Sequence, residues 1–364
     1  MVPKPQAGAD VRLAKPPVGE EELAEIRAVL ESGQLTMGPK VVEFERLLAP
    51  LAGAREAVAV SSGTAALHVA ALALGIGPGD EVIVPAYTFP ATANVVALAG
   101  ARPVLADVDP VTMNLDAADA ARRVTPRTKA VLAVHLFGRP ARLEELPAGL
   151  PVIEDAAGAL GARRADRPCG SLGALACFSF HPRKIVTTGE GGAVTTDDPE
   201  LAERSRSLRH HGWSPSDGYV DMPAPAFNYR MSDVLAALGI PQLRRFDELY
   251  AAYDRIAAGY TERLAAVDGV VTPSTDPGDR HGWQAYVVQV DDRDRVMVGL
   301  RAEGIQCQIG TYALHRLGAY RGEGAFPGAD AAFERALALP LHTGLTEAEL
   351  DRVAESLDKL VSSH

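Results

Sequence analysis

The chain is poor in cysteine, with only Cys169, Cys177 and Cys307 among 364 residues. Their spacing fits neither a metal-ligand set nor a paired framework, which leaves buried, reduced thiols as the reading. Basic residues are also in deficit: 36 Lys and Arg against 47 Asp and Glu, a net charge of −11. That balance argues against nucleic acid or an anionic membrane as the main partner, although local backbone amides can still hold a phosphate. The nine histidines contain no HExxH pattern, and no metal is expected. No apolar run is long enough to span a bilayer and nothing at the N-terminus resembles a secretory leader, so a cytoplasmic protein is expected.

What is present is ordinary globular composition, 47% hydrophobic and 23% charged. The length exceeds the usual single core. The expected division is an N-terminal extension over 1–17, a large domain over 18–245 and a small C-terminal domain over 246–364. The extension is rich in Pro, Lys and Ala, and part of it is expected to be mobile.

Helical spacing of apolar residues predicts a helix from Glu20 to Leu30 and another from Lys40 to the breaker Pro50. Short apolar runs then alternate with helical stretches. Strands are expected near 57–60, 81–84, 103–106, 130–135, 152–154, 177–180 and 193–196, with helices at 64–74, 90–99 and 199–210. Strands apolar throughout and separated by helices imply a mostly parallel sheet covered on both faces. A long helix is expected from Leu243, just after Pro241, to Leu264. Beyond it lie strands near 285–290 and 305–309 and helices near 296–303, 330–336 and 347–360.

Several short motifs carry chemistry. Lys184 follows Ser179-Phe180-His181-Pro182-Arg183 and precedes Thr187-Thr188-Gly189-Glu190-Gly191-Gly192, on a loop leaving an apolar strand. An amine there can reach over the strand end and form a Schiff base with an aldehyde cofactor. Ser61-Ser62-Gly63-Thr64-Ala65-Ala66 joins a strand to a helix, where unpaired amides suit a phosphate or the hydroxyls simply cap the helix. Asp155 ends the run 151–154, placed to meet a protonated ring nitrogen or to cap a helix. Phe89 begins a helix past another strand end and can stack on a cofactor or enter the core. Asn228-Tyr229-Arg230-Met231-Ser232 precedes a helix and can hold an anion. The loop 75–79 is glycine-rich but follows a helix and precedes a strand, so it reads as a turn.

Together these segments, with Gly77-Pro78-Gly79-Asp80-Glu81, Glu154-Asp155-Ala156-Ala157 and Leu339-Pro340-Leu341-His342, resemble the DegT/DnrJ/EryC1/StrS family of sugar aminotransferases. The resemblance implies an α/β fold of the pyridoxal phosphate-dependent transferase type I class, like aspartate aminotransferase. It implies pyridoxal 5'-phosphate on Lys184, Asp155 against the pyridine nitrogen and Phe89 over the ring. Gly63, Thr64, Ala65 and Ser179 would hold the phosphate, helped by Asn228 of a second subunit in a homodimer with shared active sites. Lys184 would also shuttle the substrate proton. Tyr229, Arg230, Tyr312 and His315 would touch a keto sugar, expected on a nucleoside diphosphate, with glutamate or glutamine as amino donor. One departure stands out: relatives carry Gln or His after Asp-Ala-Ala, against the cofactor, and here the residue is Gly158. A missing contact there implies an unusual acceptor or a side chain from elsewhere. Other readings remain open: amination of a cyclitol or other non-nucleotide ketone, a sugar dehydratase of the same fold, or a non-catalytic regulator.

Overall fold

Short strands with few polar residues build the centre. In the computed structural model, which describes residues 11–216, 219–322 and 324–363, seven strands form the main sheet. They are β1 (Glu56–Val60), β2 (Glu81–Pro85), β3 (Arg102–Ala106), β4 (Thr128–Val134), β5 (Val152–Asp155), β6 (Leu175–Ser179) and β7 (Gly192–Thr196). Their order is β1-β7-β6-β5-β4-β2-β3. Neighbours from β6 through β3 run parallel, and β7 is antiparallel to both of its partners.

Alternate residues of these strands point to opposite faces. Ala57, Ala59, Ala176, Phe178 and Ala193 join one hydrophobic cluster, and Val58, Val60, Leu175, Cys177 and Val194 join the other. The helices Gly63–Ala73 and Ala91–Leu98 cover the second face, and Pro39–Ala52 and Asp233–Arg244 cover the first. All three cysteines are buried and unpaired. Among the described residues, no helix is long and apolar enough to cross a membrane.

A second sheet contains β8 (Val270–Val271), β9 (Tyr286–Val290), β10 (Gln308–Ile309) and β11 (Ala336–Leu339) in the order β8-β9-β11-β10, every pair antiparallel. The helices Phe246–Leu264 and Glu347–Ser362 share buried contacts with it. Strand β11 was not foreseen. The expected helix over 330–336 is instead Pro327–Arg335, and the apolar run after it, with no period of its own, pairs between β9 and β10. Two prolines read as breakers lie inside helices. Pro50 lies in the last turn of Pro39–Ala52 and Pro241 in that of Asp233–Arg244. So near a helix end each costs about one backbone hydrogen bond. The long helix starts only at Phe246, after a break at Arg245.

Residues 1–10 of the expected extension lie outside the described residues. Val11 is fully buried, its N–H donating to the Gly304 carbonyl at 3.2 Å and its carbonyl accepting from Gln306 N–H at 2.9 Å. The Leu13 carbonyl accepts the Leu341 N–H at 3.0 Å, so this part of the stretch is pinned.

Candidate active site

Two glycines bring one helix start against the ends of β6 and β7. A Cβ at Gly63 would stand 2.7 Å from Ser179 Cβ, and one at Gly192 would stand 2.3 Å from the Ser62 carbonyl oxygen. Ser62 caps the helix, its hydroxyl accepting the Ala65 N–H at 3.1 Å. The N–H groups of Gly63 and Thr64 in the first turn have no intrahelical acceptor, and the positive end of the helix adds to their pull on an anion. Ser179, Gly63, Thr64 and Ala65 therefore form one small cradle.

Strand β5 delivers Asp155 to the same sheet face as the helix Ala91–Leu98. Its Oδ2 accepts the Thr92 hydroxyl at 2.8 Å and its Oδ1 accepts the Ala157 N–H at 3.2 Å. Thr92 lies 3.1 Å from the Thr88 hydroxyl, and both threonines are buried. Burial pushes the Asp155 carboxyl upward, opposed by these two donors and by the charge of Lys184. Lys184 sits on the loop beyond β6, its N–H donating to the His181 carbonyl at 2.8 Å. Burial lowers its ammonium to about 8, Asp155 resisting and Arg183 adding to the drop. A lysine so placed holds a substantial neutral fraction near neutral pH, the form that attacks a carbonyl.

The loop is held by a residue that no motif signalled. Gln242 Oε1 accepts the Thr187 N–H at 2.9 Å, and its Nε2 donates to the Thr187 carbonyl at 2.9 Å. The two bonds mimic a strand pairing, with the clamp reaching across from the helix Asp233–Arg244. Thr92 also went unforeseen: it lies in the first turn of the helix Ala91–Leu98, while its partner Thr88 belongs to the extended pair Tyr87–Thr88 before that helix.

Phe89 is 61% exposed at the mouth of this group. The pairing of Tyr312-Ala313 with Tyr87-Thr88 sets the Tyr312 ring edge-on to it at 6.3 Å. Gly158 lies in the turn after β5. The remaining residues divide: the Tyr229 carbonyl accepts the Ser61 N–H at 2.8 Å and Arg230 bridges to Val60, which sets this segment against the end of β1 beside the cradle, whereas His315 stands apart. Asn228 is exposed. The Tyr229 hydroxyl is 3.1 Å from His68 Nδ1, and its ring stacks on Phe227. Arg230 contacts His210 Nδ1 at 2.5 Å. His315 pairs with Asp330 at 2.9 Å and packs on Phe326, and no contact joins it to Lys184 among the described residues.

A model of the DegT/DnrJ/EryC1/StrS aminotransferase family matches residues 16–358. The chain belongs to this family. It is a pyridoxal phosphate-dependent aminotransferase of the type I fold. It is 43% identical over 339 residues to GDP-perosamine synthase from Caulobacter vibrioides, covering 90% of this chain and 91% of that one. Its structure resembles the aminotransferase TlmJ from Streptoalloteichus hindustanus, with TM-score 0.92, 36% identity and coverage of 97% and 99%. DesI, solved in the presence of its TDP-sugar product, matches with TM-score 0.91, 37% identity and coverage of 98% and 94%.

The residues of this aminotransferase fit the cofactor. The cradle that a Cβ at 63 would fill suits its phosphate. A buried carboxylate with two donors among the described residues has capacity left for a ring N–H. The exposed Phe89 offers an aromatic face. When bound, pyridoxal phosphate supplies an electron sink that carries an amino group between substrates.

Proposed function

We infer that this enzyme aminates a keto sugar carried on a nucleoside diphosphate, taking nitrogen from glutamate or glutamine. One observation supports the reading above the others: a buried carboxylate and a depressed lysine amine electrostatically coupled beside a glycine-lined phosphate cradle. Lys184 would anchor the cofactor and would move the proton at the substrate carbon. Asp155 keeps the ring nitrogen protonated, with Thr92 fixing its orientation. Gly63, Thr64, Ala65 and Ser179 hold the phosphate. Phe89 would cover the ring, and Tyr312 beside it belongs to the sugar pocket with Tyr229 and Arg230 at the end of β1, while His315, tied to Asp330 and packed on Phe326, is left out of it. The sugar-nucleotide preference draws on GDP-perosamine synthase and on DesI with its TDP-sugar product.

The enzyme works as a homodimer, a large cofactor-binding domain over 18–245 carrying most of the site and a small one over 246–364 closing it. Exposed Asn228 and its apolar neighbours Met222 and Phe227 suit a segment that enters a second subunit. The test is a panel of nucleotide-linked and free keto sugars with glutamate, scored by mass for the amino product, beside borohydride trapping and peptide mapping. Product from a nucleotide-linked ketone with the label on Lys184 is expected. Label elsewhere, or no product from any ketone by cofactor-loaded enzyme, overturns the reading.

A further inference from the structure

Gly158 is not demanded by its backbone, since its φ lies outside the left-handed region. What excludes a side chain there is Gln284. A Cβ at 158 would stand 2.9 Å from Gln284 Cβ, 3.0 Å from its Cγ and 3.3 Å from its Oε1. The near end of a side chain cannot swing aside as a long flexible tip can. The space beside the end of β5 is therefore already taken.

Gln284 is also held there with unusual care. Its N–H donates to the Phe137 carbonyl at 3.1 Å, and the Gly282 N–H donates to the Gly138 carbonyl at 2.7 Å. Phe137 and Trp283, either side of this join, both have positive φ, 58° and 46°. Non-glycine residues accept that strain only where the surroundings impose it. Trp283 is fixed by its indole N–H on Asp254 at 2.7 Å and by stacking on His281 at 4.1 Å. Glycines at 138 and 282 permit the close approach, because a Cβ at either would stand about 3 Å from the Gly158 carbonyl oxygen (3.0 and 3.1 Å). Yet no hydrogen bond joins the Gln284 amide to any described residue. The half-buried Gln284 amide, held beside position 158 by its backbone and tied to no described side chain, is free to meet a ligand there.

The geometry points to Gln284 as the positioning residue that supplies, from the segment before β9, the polar contact to pyridoxal phosphate that a side chain at 158 would otherwise make. The inference rests on the site reading above, in which Asp155 and Lys184 hold that cofactor. Gly158 and Gln284 are thus a matched pair, one empty so that the other can enter.

The experiment compares apoenzymes of wild type, Gln284→Leu, Gly158→Gln, Gln284→Gly and the double variant Gly158→Gln/Gln284→Gly. Cofactor dissociation constants come from fluorescence quenching, apoenzyme melting temperatures from calorimetry, and the pH midpoint of the bound cofactor's visible band from titration. Gln284→Leu keeps the packing and removes the amide. Its melting temperature should match wild type while the cofactor binds roughly tenfold more weakly and the band midpoint shifts. Gly158→Gln alone should bind poorly, because its side chain meets Gln284. Removal of the entire Gln284 side chain in the double variant should bring affinity to within about threefold of wild type and restore the band midpoint. Wild-type affinity and band midpoint in Gln284→Leu overturn the inference, as does a double variant that binds no better than the weaker single variant. Borohydride labelling of wild type separates the two readings: label on Lys184 with an unaffected Gln284→Leu sinks this inference alone.

Discussion

Glu154 and Asp155 are consecutive in β5, face opposite sides of the sheet, and have opposite fates. On one side Glu154 is saturated. Its Oε2 meets His135 Nε2 at 2.9 Å and the Gly170 N–H at 2.8 Å, and its Oε1 accepts the N–H groups of Leu172 and Gly173, both at 2.7 Å. His135 Nδ1 accepts the Ala141 N–H at 2.9 Å, so its ring proton sits on Nε2 and points at Glu154. With these donors, Glu154 is held below the usual carboxylate range despite its burial. On the other side Asp155 has two donors and is pushed upward by burial. The comparison teaches that burial alone does not mark a working acid. The number of acceptor sites left unfilled does, and it distinguishes a carboxylate that ties loops together from one with room for a further donor.

The sharpest test of the open side is Lys184→Ala. Amino transfer should fall by about a thousandfold or more, followed by mass of the product, with the apoprotein still folded. Next, the neighbours should separate. Asp155→Asn should slow transfer by about a hundredfold and leave the denaturant midpoint of the apoprotein unchanged or higher. Glu154→Ala orphans three N–H groups and a histidine donor, and should lower apoprotein stability by about 3 kcal/mol or more in the same unfolding curves. If Glu154→Ala unfolds no more easily than wild type, the contrast between the faces is broken.

The pH response is a smaller effect. The folded pKa of Lys184, about 8, lies below the 10.5 of a free lysine. Between those values the unfolded chain binds the extra proton, so this residue makes stability rise with pH. The denaturant midpoint of wild-type apoprotein relative to Lys184→Met should climb from pH 8 to pH 10; a falling difference contradicts the burial of that amine. Smallest is Thr92→Val, which removes one donor to Asp155. A loss of about fivefold in transfer rate is expected, the worth of one ordinary hydrogen bond.

Much of the site was legible because each local motif demanded a particular backbone. Gly63 and Gly192 mark close approaches, Asp155 ends an apolar run, and Lys184 sits where a strand gives way to a loop. The supporting residues were not legible. Gln242 reaches its loop across 55 positions, Thr92 reaches Asp155 across 63, and nothing near either glutamine or threonine announces the partner. The contact between Gly158 and Gln284 is equally remote, although the bare glycine did signal that something was displaced. In the fold, β11 was hidden because Ala336–Leu339 is apolar without alternation, a pattern that a buried helix end shares with a buried strand. Pro50 and Pro241 misled for a simpler reason: a proline in a helix's last turn removes too little to stop it.

The strap formed by Val11 and Leu13 has a consequence for how the chain is made. Its hydrogen-bonding partners, Gly304, Gln306 and Leu341, lie far downstream and leave the ribosome long after it. The strap must therefore wait, unattached, while the sheet between it and them is made. A nascent chain halted short of residue 304 would lack every one of these bonds, and one halted short of residue 341 would lack the last of them.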